Sequence, residues 1–160
     1  MKRIALTAVA FLAFVASAAH AEVKTLADAK VTIDAPDGWK VEQQANGYSM
    51  VGPNEEVFFI VQTAPESDVQ KALAGANGFL NKIATDIKWA GKPKEVQTNG
   101  MKSYANKASA KISGKDVFIA VLVVKTPADK YLIFIGAVEA KKEKDYTPTL
   151  KKFIDNIKPA

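Results

Sequence analysis

Two neighbouring segments are apolar on both faces, and they constrain the fold more than any other feature of the sequence. Residues 117–124 read VFIAVLVV and residues 131–135 read YLIFI, without a charged residue in either. A strand whose two faces are both apolar must be covered on both sides. Because the connection between the two segments is short, they form an antiparallel pair. The sequence therefore predicts an antiparallel sheet whose centre lies between two covering layers.

Other segments have the alternating polarity or the flanking turns that are typical of strands. These segments are residues 30–34, 39–43, 48–51, 56–63, 94–98 and 101–112. The pairs Asn46-Gly47 and Asn99-Gly100 are the strongest hairpin signals, because a type I′ turn needs positive φ at both of its central residues. Together these patterns predict a central sheet of about seven or eight strands.

In two places the apolar period changes from two to 3.6 residues, and each place predicts a covering helix. The first helix begins after a cap at Ser67 and runs to about Lys88. The second covers residues 144–158, with Pro148 in its first turn and Pro159 at its end. The predicted fold class is α+β: a three-layer αβα sandwich with a central antiparallel sheet and one long helix on each face.

The N-terminus has the three parts of an export signal. They are the charged pair Lys2-Arg3, an apolar run over residues 4–15, and an A-x-A cleavage pattern that ends at Ala21. The run is shorter than the about 20 residues that a membrane-spanning helix needs. We expect cleavage after Ala21 and a periplasmic or secreted protein. The alternative is an N-terminal helix that belongs to the core.

The remaining chain is expected to contain a loose leader over residues 22–29 and a single domain over residues 30–159. Cleavage would remove His20 and Arg3, which are the only histidine and the only arginine, and the sequence contains no cysteine. Histidine is the commonest general acid or base near neutral pH, and zinc and copper sites need imidazole or thiolate ligands. We therefore predict no catalytic residue, no metal site and no cofactor, and a protein that is not an enzyme.

Lysine supplies every positive charge after residue 21, with 20 lysines against 17 acidic residues. The absence of arginine argues against sequence-specific recognition of nucleic acid. Lysines cluster at residues 141–144 and 151–152. A solvated helix face explains such clusters, and attraction to an anionic membrane surface is the alternative.

Several short motifs, in their order along the chain, resemble those of the PsbP-like fold superfamily. This superfamily includes the extrinsic photosystem II protein PsbP, the Ran-binding Mog family and DcrB-like bacterial envelope proteins. The motifs are IDAPDGWKV at residues 33–41, GYSM at 47–50, the helix after Pro65, the two apolar strands, and FIDNIKP at 153–159. The resemblance implies a three-layer αβα sandwich and a binding or assembly role without catalytic residues. Because no cysteine follows the signal, this chain departs from DcrB-like lipoproteins and lacks their lipid anchor.

Three aromatic residues are candidates for a ligand or partner surface. Trp39 follows a Pro-Asp-Gly turn and fits either core packing or the edge of a groove, and Tyr48 begins a neighbouring strand. Trp89 is interpreted either as a packing residue at the end of the first helix or as an exposed contact.

The predicted function is that of an exported, soluble, non-enzymatic binding or assembly-accessory domain. It would act on a periplasmic protein partner or a small ligand, with no nucleic acid and no transmembrane segment. One alternative is a hydrolase or lyase that uses a carboxylate or lysine with a shifted pKa. Another is an envelope-surface protein that associates electrostatically with anionic membrane.

Overall fold

A computed structural model describes residues 21–65 and 67–160, so all of the predicted export signal except Ala21 lies outside the described residues. Within these ranges, eleven strands form an eight-stranded main sheet and a three-stranded small sheet, and every paired strand is antiparallel. The strands are β1 (Glu22–Leu26), β2 (Val31–Ala35), β3 (Lys40–Gln44), β4 (Gly47–Val51), β5 (Val57–Ala64), β6 (Thr85–Trp89), β7 (Lys94–Thr98), β8 (Met101–Ile112), β9 (Lys115–Lys125), β10 (Tyr131–Glu139) and β11 (Lys158–Pro159), and the helices are α1 (Val69–Ile83) and α2 (Glu143–Asp155).

The main sheet has the order β3-β4-β5-β10-β9-β8, with β6 and β7 both paired to the outer edge of β8. The two segments that are apolar on both faces form β9 and β10, the central antiparallel pair that the sequence predicts. All nine residues of β10 are buried. On one face, Val123 and Ile133 belong to the core under α1, and on the other, Leu122 and Phe134 belong to the core under α2.

One face of the main sheet is covered by α1, which buries Ala72, Ala76 and Leu80. The cap of this helix is Asp68 and not the predicted Ser67: the Asp68 carboxylate accepts hydrogen bonds from two backbone N–H groups of the first turn. The helix also ends at Ile83, before the predicted Lys88. The following residues form β6, because pairing with the open edge of β8 satisfies their backbone groups and Ile87 and Trp89 still reach the α1 core.

The opposite face is covered by α2 together with the small sheet, whose order is β1-β2-β11. The prediction of one long helix on each face is therefore not confirmed: α1 has 15 residues, α2 has 13, and the small sheet supplies the rest of the second layer. The expected loose leader also differs from the structure. Residues Glu22–Leu26 form β1, which pairs with β2 and buries Leu26 against the core.

The two predicted hairpins form with different turns. Asn99 and Gly100 have φ of 48° and 80°, as a type I′ turn requires. In the first hairpin Gln44 pairs with Gly47, so the turn is Ala45-Asn46, and neither Asn46 nor Gly47 has positive φ. Gly47 is needed for another reason, since a Cβ there would lie 1.9 Å from the Val61 carbonyl oxygen of β5.

Neither described helix is long and apolar enough to cross a membrane.

Candidate functional site

An open groove of about 480 Å³ lies on the α2 face of the main sheet, between α2 and the connection from β6 to β7. Its floor comes from the sheet and is made of Ala105, Ala120, Leu122 and Phe134. Thr147, Leu150 and Ile154 of α2 form one wall, and residues 90–96 form the other. Most of the lining is carbon, as is usual for sites that bind small molecules.

The position of α2 leaves this part of the sheet uncovered. Gly136 of β10 has no side chain, and a Cβ there would lie 2.9 Å from Phe134 Cζ and 3.2 Å from Leu150 Cδ1. The helix therefore packs closely over β10, where the rings of Phe134 and Phe153 stack with their centroids 5.2 Å apart. Farther out, β8 and β9 contribute the small side chains of Ala105 and Ala120, which leave space above the sheet at this point.

The outer wall is attached to the middle of β8. β6 and β7 pair with opposite ends of that strand, so the connection between them crosses at residues 106–107. The Ala90 N–H donates to the Lys107 carbonyl at 2.9 Å, and the Asn106 side-chain amide donates to the Gly91 carbonyl at 3.1 Å. Val96 of β7 is 37% exposed, and only it and Val23 are large apolar side chains exposed in the described part of the chain.

The rim of the groove is positively charged. Lys92, Lys94, Lys107 and Lys151 line it, and no carboxylate does. Lys151 pairs with Asp155 one turn along α2. The other three form no ion pair with any residue of 21–65 and 67–160. Lys107 Nζ lies 5.9 Å from the centroid of the Phe118 ring. Since none of the three charges is compensated by a described carboxylate, they can attract an anion.

The structure does not bring the three aromatic candidates together. Trp39 is half-buried between Phe59 and Tyr146, at centroid distances of 4.7 and 6.4 Å, and it borders a small cavity of about 230 Å³. Tyr48 borders a separate cleft of about 380 Å³, with Lys24 Nζ 5.9 Å from its ring centroid. Trp89 packs against the α1 core on the other side of the sheet. None of the three lines the lysine-rimmed groove.

The carboxylate with the strongest interactions lies away from the groove. Glu139, at the end of β10, is nearly buried and accepts from Lys115 at 2.6 Å, and Lys141 lies 3.1 Å from its second oxygen. The hydrogen bond from Lys115, with a smaller contribution from Lys141, lowers the pKa of Glu139. No cluster of three or more potential metal ligands occurs in the described residues.

Sequence reasoning missed the groove because its lining comes from five stretches that are distant in the chain. The available signals were the small residue Ala120 in a strand otherwise rich in larger apolar side chains, and the two lysines beside Pro93. Neither signal shows that α2 stops short of β8.

Comparison with solved structures finds proteins of the same fold at low sequence identity. The solution structure of cyanobacterial PsbP (CyanoP) from Synechocystis has a TM-score of 0.61 and 9% identity, and the match covers 95% of this chain and 97% of that chain. LpqN, involved in cell envelope biogenesis of Mycobacterium tuberculosis, gives 0.58 and 15%, covering 80% and 82%. The Saccharomyces cerevisiae Ran-binding protein Mog1p gives 0.55 and 13%, covering 86% and 94%.

These neighbours confirm the fold that the sequence motifs resemble: the chain has the PsbP/Mog-like fold. No model of a known protein family and no curated protein sequence matches the chain.

Proposed function

We propose that this protein is exported to the periplasm and acts there as a non-enzymatic binding protein, with the lysine-rimmed groove as its binding site. The groove itself carries the proposal. Its volume of about 480 Å³ falls within the range of about 300–1,000 Å³ that is common for small-molecule sites. An apolar floor with a few charged groups at the rim is also the usual composition of such sites.

The directions of the pKa shifts favour binding over the hydrolase or lyase alternative. A catalytic acid or base needs a carboxylate whose pKa is raised or a lysine whose pKa is lowered toward neutrality. Here the pKa of Glu139 is lowered, mainly by its hydrogen bond with Lys115, and the pKa values of Lys102 and Lys115 are raised by hydrogen bonds with carboxylates. These groups stay charged near neutral pH, which suits ion pairs and not proton transfer.

Ion pairs also weaken the membrane-surface alternative. Lys141 pairs with Glu139, Lys142 lies within 4 Å of Glu56 and Asp145, and Lys151 pairs with Asp155. Much of the positive charge in the predicted lysine clusters is therefore compensated locally.

Two further observations support an exported binding protein. β1 begins at Glu22, directly after the predicted cleavage site, so cleavage would leave every described element complete. Among the structural neighbours, Mog1p is a Ran-binding protein and LpqN is involved in cell envelope biogenesis.

The binding site is tested with N-phenyl-1-naphthylamine, an uncharged apolar dye whose fluorescence rises when it leaves water. Thr147 is exposed on the α2 wall, so Thr147→Trp places an indole in the groove without disturbing the core. We expect this variant to weaken dye binding by about ten-fold or more. The matched control is Asn77→Trp, at an exposed position of α1 on the opposite face.

The outcome is decided by comparing the three proteins. Binding by the wild type and Asn77→Trp, together with its loss in Thr147→Trp, supports the groove as the site. Equal binding by all three, or no binding by the wild type, refutes it. Export is tested separately by fractionating cells that express the full chain and measuring the mass of the periplasmic product, which should begin at Glu22.

A further inference from the structure

The floor of the groove suits an occupant that has no hydrogen-bonding groups. Its side chains, Ala105, Ala120, Leu122 and Phe134, contain only carbon, and Leu150 and Ile154 continue this surface up the α2 wall. The backbone of the floor is already paired, since Ala105 lies opposite Leu122 and Lys107 lies opposite Ala120 in the β8–β9 ladder. A polar group placed here would lose its hydrogen bonds to water without gaining a protein partner, whereas an alkyl chain has no hydrogen bonds to lose.

The rim suits a negative charge at one end of that occupant. Lys92, Lys94 and Lys107 all come from the outer wall and its attachment to β8, and they have no acidic partner within the described residues. Lysine offers a mobile point charge and not the rigid fork of arginine. Such a rim attracts an anionic head without fixing its geometry, while the lysine stems add apolar contact to the chain below.

The size of the groove suits an alkyl chain better than a helical peptide. A water molecule occupies about 30 Å³ in the liquid and a methylene is of similar size, so about 480 Å³ has room for roughly 16 such groups. This volume is sufficient for one alkyl chain. A helix with its side chains is about 10–12 Å across and needs a larger site.

We infer that the groove binds a single-chain carboxylate amphiphile, with the alkyl chain on the Ala105–Ala120 floor and the carboxylate near Lys92, Lys94 and Lys107. The inference deepens the proposed function, since it names the chemical class that the same site takes. Charge complementarity selects the ligand: three unpaired lysines and no carboxylate line the groove.

The test measures displacement of N-phenyl-1-naphthylamine from the full-length protein by three ligands of ten carbons in the chain, the two ionic ones below their micelle concentrations and the alcohol below its solubility limit. Decanoate is anionic, decan-1-ol is neutral and decyltrimethylammonium is cationic. We expect decanoate to displace the dye at about a ten-fold lower concentration than decyltrimethylammonium, with decan-1-ol between them. From octanoate to dodecanoate, each added methylene should lower the dissociation constant by about two- to four-fold. The lower value corresponds to a partly buried methylene and the upper value to a fully buried one.

The lysines are tested by the triple variant Lys92→Gln, Lys94→Gln, Lys107→Gln. It should lose the preference for decanoate and keep the affinity for the neutral dye. The control, Lys40→Gln, Lys71→Gln, Lys82→Gln, removes the same charge from exposed positions on β3 and α1 and should behave as the wild type. Raising the salt concentration should weaken the wild-type preference for decanoate over decyltrimethylammonium. At high salt the wild type should behave as the triple variant does, with no further change.

The outcomes separate this inference from the proposed function. If the dye binds in the groove but the three decyl ligands displace it equally, the ligand class is wrong and the binding site stands. If phosphatidylglycerol vesicles displace the dye and decanoate does not, the occupant is a membrane surface and the inference is overturned. If Thr147→Trp leaves dye binding unchanged, the groove is not the site and both proposals fail.

Discussion

The two faces of the main sheet are covered in different ways, and the larger opening lies on the α2 face, at about 480 Å³ against about 190 Å³ on the α1 face. On the α1 face, the helix packs on both β9 and β10 through Ala72, Ala76 and Leu80, all fully buried. On the other face, α2 packs mainly on β10 and on β2 of the small sheet. Because Ala72 and Ala76 are small, α1 lies close to both β9 and β10. On the other face, the large ring of Phe153 fills the space between α2 and β10.

This difference explains where the proposed binding groove lies. A sheet whose second layer is divided between a helix and a small sheet has a gap at the end that neither reaches. Here that gap lies over Ala105 and Ala120, and three unpaired lysines border it. The α1 face stabilises the protein, and the divided α2 face has more room for a ligand.

Removing the aromatic anchor of α2 should have the largest effect. Phe153 is buried, with ring centroids 5.0 Å from Phe59 and 5.2 Å from Phe134. Phe153→Ala should lower the free energy of unfolding by about 3–5 kcal/mol, through lost burial and the cavity that remains. Because α2 forms a wall of the groove, dye binding should weaken in the same variant, as urea titration and fluorescence can measure.

Leu80→Ala is the corresponding change on the α1 face. It should also destabilise the protein, by about 2–5 kcal/mol, but dye affinity of the folded fraction should remain that of the wild type. Equal loss of dye binding in both variants would contradict the division of roles between the two faces.

The C-terminal end of α2 is held by a side chain from the β7–β8 turn. Asn99 Nδ2 donates to the backbone carbonyls of Asp155 at 2.8 Å and Ile157 at 2.7 Å. Asn99→Gly keeps the left-handed turn conformation and removes both bonds, so it should cost about 1–2 kcal/mol in thermal or urea unfolding. Asn46→Gly in the other hairpin is the control. No side-chain hydrogen bond of Asn46 occurs among the described residues, and the change should stay within about 0.5 kcal/mol.

The turn into α2 is held by Glu139, and this contact should make stability depend on pH. Because the hydrogen bond from Lys115 lowers the pKa of Glu139 below its usual 4.5, the folded state favours the ionised carboxylate. Its contribution is complete above pH 4.5 and is lost as the pH falls through the lowered pKa of the folded state. The urea midpoint of the wild type should therefore fall more steeply below pH 4.5 than that of Glu139→Gln. Glu143→Gln, at an exposed position of α2, should follow the wild type.

The sequence predicts the strands well, because alternating polarity and turn residues act over a few neighbouring positions. In β8, Ala108, Ala110 and Ile112 alternate with Ser109 and Lys111 and together face the α1 core. Three strands were missed. β1 and β6 are edge strands with short or mixed patterns, and β11 has only two residues. Residues 85–89 continue the apolar spacing of α1. Periodicity alone therefore cannot show that they form a strand paired with the open edge of β8.

The site is less predictable than the fold. Trp39, Tyr48 and Trp89 are conspicuous because aromatic residues are common at interfaces, but the structure distributes them over two cavities and the α1 core. Their role at a partner surface remains a prediction. The groove is built instead from alanines and lysines, which are ordinary residues in any sequence.

Local polarity is enough to place β9 and β10 at the centre of an antiparallel sheet, since segments apolar on both faces must be buried on both. The residues alone also predict the type I′ turn at Asn99-Gly100 and show that His, Cys and Arg are absent after the predicted cleavage site. The position of α2, in contrast, follows from packing in three dimensions. That position depends on the space left by Gly136 for Leu150 and on the ring of Phe153, contacts between residues far apart in the chain. The groove is the part of the sheet that this packing leaves open.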